Sequence, residues 1–145
     1  MSLPTVWRGT LDWALRGRQL NEGLEVARAI VRDRRSVGAN IICTAGMGAN
    51  QIASGGTWPN PTNPNYWPTL RDFSLMCEDE KMGLCHVVFC DTATLMPDLP
   101  SMQAHWERYL VTLGDRPDVF VVANQPGHPT QSGQLDPRLP RARRR

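Results

Sequence analysis

The sequence has no long run of apolar residues, and this absence limits where the protein acts. No run approaches the ~18–20 apolar residues that are needed to span a bilayer. No N-terminal stretch joins a basic start to an apolar segment, as a signal peptide does. We therefore expect a cytoplasmic protein with no membrane partner. At 145 residues the chain is long enough for one domain with a substantial core.

Cysteine is scarce, and its spacing does not favour a metal site. The four cysteines lack CxxC spacing, and three of them (Cys43, Cys85 and Cys90) lie in apolar runs, where a free thiol behaves as a small hydrophobic group. The turn at 46–48 reads GMG but lacks the rest of a GxGxxG nucleotide motif. We therefore expect no metal, no cofactor and no framework of disulfides.

The excess of positive over negative charge comes from the C-terminal end. The formal net charge is +2, but four arginines lie within residues 141–145, and residues 1–140 carry 12 basic against 14 acidic side chains. This balance does not favour nucleic-acid binding. We predict that residues 133–145 form a disordered basic tail. The alternative is that RARRR contacts nucleic acid or anionic lipid.

The sequence does contain a repeated order of amphipathic helix, glycine and apolar strand. Apolar spacing predicts helices over about 22–37, from Pro68 to Gly83, and from a cap at Ser101 to Gly114. The runs ANIICTAG, LCHVVFCD and VFVVA predict buried strands, and VWRGTLDWAL predicts an earlier one. Buried strands that alternate with helices indicate parallel βαβ units. The fold class is thus α/β, with about four strands and three helices, as a small open sheet or as half of an eight-stranded barrel.

The loops that follow the strands are the candidate sites of chemistry, because the carboxyl ends of parallel strands meet at one edge. Asp91 follows the third strand; it is a candidate base or hydroxyl ligand, or the start of an Asx turn. Asn124, Gln125 and His128 follow the fourth strand, as site residues or as turn and loop residues without a further task. The long loop after the second strand carries three aromatic residues that either stack on sugars or pin the loop to the fold: Trp58, Tyr66 and Trp67.

A family resemblance rests on these segments. The order WRG, GAN, a long loop with WP and YW, FCDT, MP, HW and VFVVANQPGHPTQ resembles the N-terminal half of TIM-barrel glycoside hydrolases. It is similar to the clan of retaining glycosidases whose fourth strand ends in an Asn-Glu pair. The resemblance covers roughly residues 5–132 and is most specific at 123–126. It implies that residues 1–132 form a partial (β/α)8 barrel, half of a TIM barrel, that acts on or binds carbohydrate.

The sequence departs from that family at the catalytic pair. In the family the Asn binds a sugar hydroxyl and the Glu is the acid/base. Asn124 matches the family's Asn, whereas Gln125 stands in place of the Glu. An amide has no proton to exchange at neutral pH, and general acid–base catalysis is worth ~10²–10⁴ in rate. The family's nucleophile comes from a seventh strand, which this chain does not reach. The resemblance thus implies weak or no hydrolysis, with Asp91 and His128 as the remaining proton carriers.

Two further interpretations stay open. The chain is either a non-catalytic carbohydrate-binding module that retains Asn124 and the aromatic loop, or a truncated remnant without a selected function. Four strands of a parallel barrel also leave an exposed inner face and an open edge. We therefore expect self-association as a homo-oligomer, with a second half-barrel chain as the alternative partner.

Overall fold

The sheet is parallel, and its strands follow one another in chain order. The computed structural model describes residues 6–48, 58–90, 95–96, 98–114, 116 and 119–122. The four strands in these ranges pair in parallel in the order β1-β2-β3-β4. The elements are β1 (Gly9–Leu11), α1 (Leu15–Glu22), α2 (Leu24–Ser36), β2 (Ile41–Ala45), α3 (Leu70–Asp79), β3 (Gly83–Val87), α4 (Leu99–Leu113) and β4 (Val119–Val122). The predicted α/β class is confirmed, whereas the predicted tail over 133–145 lies outside the described residues.

The helices pack on one face of the sheet. Crossovers between parallel strands are right-handed almost without exception, so a strand order that never reverses places every crossover helix on the same side. Ile42, Leu84 and Val119 lie side by side in the register of the sheet. They pack in a core with side chains of the first three helices, which include Leu15, Ala27, Val31, Phe73 and Met76.

The opposite face of the sheet has less cover from the described residues. Leu11, Cys43 and Cys85 form a row across three strands. Leu11 is 63% exposed, and both cysteines are half-buried. Within the described ranges this face is best packed at its carboxyl end, where Trp58 packs with Ala45. As far as these ranges show, the sheet is thus buried on one face and partly open on the other.

Helix α2 shows how the sequence determines these elements. Its buried residues, Ala27 and Val31, are four positions apart and so share one face. Arg34 and Arg35 lie in the last turn, where a positive charge complements the helix dipole. Gly38 follows with a φ of 95° and donates its N–H to the Arg35 carbonyl at 2.9 Å. The predicted helix over 22–37 and its glycine stop are confirmed to within two residues.

The predicted end of helix α3 is wrong by four residues. The helix stops at Asp79, and Lys81 turns the chain with a φ of 58°. Gly83 is therefore the first residue of β3 and not the helix stop. A glycine is needed there because the Trp7 ring lies 2.5 Å from where a Cβ would stand.

The predicted cap of helix α4 is also wrong. Asp98, in an extended conformation, caps the helix, and its carboxylate accepts the Ser101 backbone N–H at 2.8 Å. Ser101 therefore lies in the first turn, where its hydroxyl donates to the same carboxylate. Proline at position 100 fits the first turn because it needs no N–H partner there. Gly114 ends the helix as predicted.

Helix α1 was not predicted from the sequence. It buries Arg16, Gly17 and Gln19 along with Leu15. A helix that buries polar side chains has no apolar stripe, so its periodicity gives no signal. The described ranges therefore hold four helices of eight residues or more, where the sequence predicts three.

Candidate functional site

The carboxyl ends of β2 and β3 define the edge of the sheet on which the site was predicted. We call this edge the C-terminal rim and define it by three parts: residues 45–48, which begin with the last residue of β2, residues 87–90, which begin with the last residue of β3, and Trp58. The two segments are joined directly, since the Gly46 N–H donates to the Val87 carbonyl at 2.7 Å. The rim is therefore a fixed platform where the two strands end.

Trp58, a predicted sugar-stacking residue, lies flat within the rim. Its side chain is 8% exposed and packs with Ala45, Val87 and Cys90. Its ring is parallel to that of Trp13, with an interplanar angle of 3° and a centroid distance of 6.5 Å. The pair covers the carboxyl end of the open face of the sheet. Any stacking of Trp58 on a ligand stays a prediction.

Tyr66 lies behind the rim, on the helix side. It is fully buried, and its hydroxyl donates to the Gly46 carbonyl at 2.5 Å. Its ring contacts Tyr109 edge-on, and burial holds the pKa of its phenol well above the ordinary value. This is the arrangement expected of a residue that pins the long loop to the fold. A direct contact between Tyr66 and a ligand would require the ring to be uncovered.

Trp67 lies beside Tyr66 and is half-buried. The Arg108 guanidinium lies 4.4 Å from its ring centroid, in cation–π geometry. Its ring is in T-shaped contact with the rings of Tyr66 and Tyr109, at centroid distances of 5.0 and 5.7 Å. Of the three predicted aromatic residues, Trp67 is the most exposed.

The four predicted polar site residues lie outside the described residues. Asp91 follows Cys90 in the sequence, and Asn124, Gln125 and His128 follow β4. The strands that lead to them are neighbours, because Val87 pairs with Val122 at the ends of β3 and β4. In the sequence, the two polar segments thus follow strands whose last residues are paired.

The sequence analysis missed a buried arginine behind the rim. Arg16 is fully buried between the rings of Tyr66 and Phe73, at 5.4 and 5.5 Å from their centroids. It donates to the Tyr66 carbonyl at 2.5 Å and to the Thr69 hydroxyl at 3.1 Å. No carboxylate among the described residues pairs with it, and burial lowers its pKa. Arg16 thus fastens the start of α3 to α1.

Two histidines complete the polar layer between the sheet and the helices. His86 is fully buried, with its Nδ1 3.4 Å from the Tyr109 hydroxyl. His105 is 5% exposed, with its Nε2 3.5 Å from the Tyr66 hydroxyl. Burial lowers the pKa of His86 to about 3 and that of His105 to about 4. Both rings are therefore neutral at pH 7 and act as packing residues.

The described part of the rim is suited to holding a shape and not to moving protons. Apart from the Cys90 thiol, its side chains are aromatic, aliphatic or small. The Cys90 thiol donates to the Val87 carbonyl, and the Gly46 carbonyl accepts from Tyr66. In the ranges that the structure describes, no three metal-ligating side chains come together. The proton-exchanging groups of the predicted site, Asp91 and His128, belong to segments outside these ranges.

Comparisons of the chain with protein-family models, with curated proteins and with solved structures found no match. The resemblance to glycoside hydrolases therefore stays a prediction that rests on the sequence motifs. Separately, none of the helices within the described ranges has the length and apolar character needed to cross a membrane.

Proposed function

We propose that the chain is a partial (β/α)8 barrel that binds carbohydrate at its C-terminal rim and hydrolyses it weakly or not at all. The order of the strands supports this architecture. In such a barrel each strand pairs with the next one in the chain, and the helices lie outside. The described sheet has the same order, with helices against Ile42 and Leu84 and a second face that is partly open.

One observation carries the proposal for the site. Strands β3 and β4 are parallel neighbours whose last residues, Val87 and Val122, are paired. Asp91 and the Asn124-Gln125 pair therefore follow adjacent strand ends, at the edge where barrel enzymes bind their substrates. A carboxylate and two amides together offer donors and acceptors suited to vicinal hydroxyl groups.

Weak hydrolysis follows from the chemistry of Gln125. A retaining glycosidase needs a carboxylic acid that first protonates the leaving oxygen and later accepts a proton from water. The amide of Gln125 forms hydrogen bonds of similar geometry but transfers no proton. Binding is thus retained at this position, while the acid–base step is lost.

Titration calorimetry of the 145-residue chain against a panel of soluble oligosaccharides tests this function. We expect at least one saturable ligand, with Kd raised about fivefold in Asn124→Ala, because one hydrogen bond to a hydroxyl is worth roughly 1 kcal/mol. Trp67→Ala is expected to abolish the signal. Gln103→Ala removes an exposed amide from α4 and is the matched control.

Two results would contradict this function. One is a panel without any binding; the other is an Asn124→Ala variant that binds as the wild type does.

An activity assay of the same proteins with aryl glycosides distinguishes a weak enzyme from a binding module. If Gln125 is a disabled acid, Gln125→Glu is at least as active as the wild type. A wild-type rate well above that of Gln125→Glu would overturn this assignment.

We also propose that a second copy covers the open face of the sheet. An apolar surface on that face is formed by Leu11, Ile41 and the two half-buried cysteines. Light scattering at micromolar concentration is expected to show a dimer that Leu11→Asp dissociates. Val111→Asp is the control, because Val111 is 83% exposed on α4, away from the sheet. A wild-type chain that remains a monomer contradicts the proposal.

A further inference from the structure

Two thiols meet on the open face of the sheet. Cys43 of β2 and Cys85 of β3 are direct partners in the parallel register, and their sulfur atoms lie 3.4 Å apart. Neighbouring strands are about 4.8 Å apart, which is within the Cα separation of roughly 4.4–6.8 Å found across disulfides. Closing the sulfur–sulfur gap thus needs side-chain movement but no separation of the strands.

These two cysteines are also the accessible ones. Both are half-buried, whereas Cys77 is fully buried and Cys90 is 3% exposed. Their neighbour in the same row, Leu11, is 63% exposed. No helix of the described ranges packs on this side of the sheet, and a small reagent therefore reaches the pair from there.

The two thiols differ in acidity because one donates a hydrogen bond to the other. The Cys43 thiol donates to the Cys85 sulfur. This hydrogen bond stabilises the Cys85 thiolate and lowers the pKa of Cys85. The same bond, together with burial, raises the pKa of Cys43. Cys85 is accordingly the nucleophile of the pair, since the thiolate is the reactive form.

We propose that Cys43 and Cys85 form a redox-active dithiol that small-molecule disulfides, such as oxidised glutathione, convert to a cross-strand disulfide. The Cys85 thiolate attacks one sulfur of the reagent, whose sulfur–sulfur bond breaks and releases one thiolate, which takes up a proton. The Cys43 sulfur then loses its proton and attacks the Cys85 sulfur, and the second small thiol leaves. Two protein thiols are oxidised, and one small disulfide is reduced to two thiols.

The experiment treats the native chain with an excess of oxidised glutathione. The protein is kept at nanomolar concentration, which favours the monomer over any dimer that would cover the face. Mass spectrometry is expected to show the loss of two hydrogen atoms, and peptide mapping to place the bond between Cys43 and Cys85. In Cys43→Ser the reaction stops with one glutathione on Cys85. In Cys85→Ser the reaction at Cys43 is at least tenfold slower. Cys77→Ser is the matched control and forms the disulfide as the wild type does.

A second measurement needs no variant and so does not depend on the folding of a mutant. Brief alkylation of the wild-type chain is expected to modify Cys85 before Cys43 and to leave Cys77 unmodified. The proposal is overturned if all four thiols survive the glutathione treatment, or if the bond maps to another pair. It is equally overturned if Cys43 is alkylated before Cys85.

Discussion

Gly46→Ala is expected to destabilise the fold by about 3 kcal/mol, close to the upper end of what overpacking a core usually costs. A Cβ at this position would lie 2.8 Å from the Cα of Val88 and 3.0 Å from the carbonyl oxygen of Val87. Both are backbone atoms of the neighbouring strand end, so a side-chain rotation does not relieve the clash. The hydroxyl of Tyr109 would lie 3.1 Å from the same Cβ. The substitution therefore forces apart the two segments that form the C-terminal rim.

Gly9→Ala is the matched control, because it also places a methyl group on a glycine of the sheet. The nearest atom to its Cβ is a methyl group of Ile41 at 3.6 Å, an ordinary contact. We expect the free energy of unfolding of this variant to lie within about 1 kcal/mol of that of the wild type. Urea unfolding of the three proteins measures both effects. Equal stability of Gly46→Ala and Gly9→Ala would show that the strand ends do not approach one another as described.

The second large effect is a loss of stability in acid, driven by the two buried histidines. Both have pKa values below the ordinary 6.5, at about 3 for His86 and about 4 for His105. Below pH 6.5 both histidines are therefore protonated in the unfolded chain while they remain neutral in the folded chain. Stability is full above pH 6.5 and falls as the pH drops toward these folded values. For His86 alone the slope approaches ~1.4 kcal/mol per pH unit.

The contribution of His86 to this loss of stability can be tested with a variant that lacks its titrating ring. Burial is the main cause for both histidines, and the positive charge of Arg16 adds to it at His86, as that of Arg108 does at His105. His86→Gln removes one titrating group, so its free energy of unfolding should depend less steeply on pH between 6.5 and 4. Urea unfolding at a series of pH values measures this dependence. An unchanged slope in His86→Gln would contradict the account of a buried, neutral ring.

The fold was predictable where one physical rule dominates a segment. Ala27 and Val31 share a helix face, and the apolar residues of β2 and β3 read as buried strands, so periodicity located these elements. Helix α1 escaped prediction because it buries Arg16 and Gln19. The hydrogen bonds that offset the burial of Arg16 come from residues far along the chain. The Arg16–Thr69 hydrogen bond spans 53 positions.

The edge of the sheet at which the strands end was predictable, but the contacts made there were not, and the site itself stays a prediction. Glycine-rich and polar segments after buried strands indicated the edge of the sheet, and the parallel order agrees with that placement. The burial of Tyr66 and Trp58 was not predictable, because a loop has no period from which the inward side of a residue can be inferred. The distinction between stacking on a ligand and pinning the loop depends on contacts with Gly46 and Trp13, which only the folded chain provides.

The central claim is that carbohydrate binds where parallel strands end, and amide chemical shifts test it most directly. Isotope-labelled protein is titrated with the oligosaccharide that calorimetry identifies. The account predicts that shifts gather at residues 46–48 and 88–90 and at the Trp67 indole, and that Asn40 and Arg116, near the starts of β2 and β4, stay unchanged. Shifts that gather at Asn40 and Arg116 and spare the strand ends would contradict it.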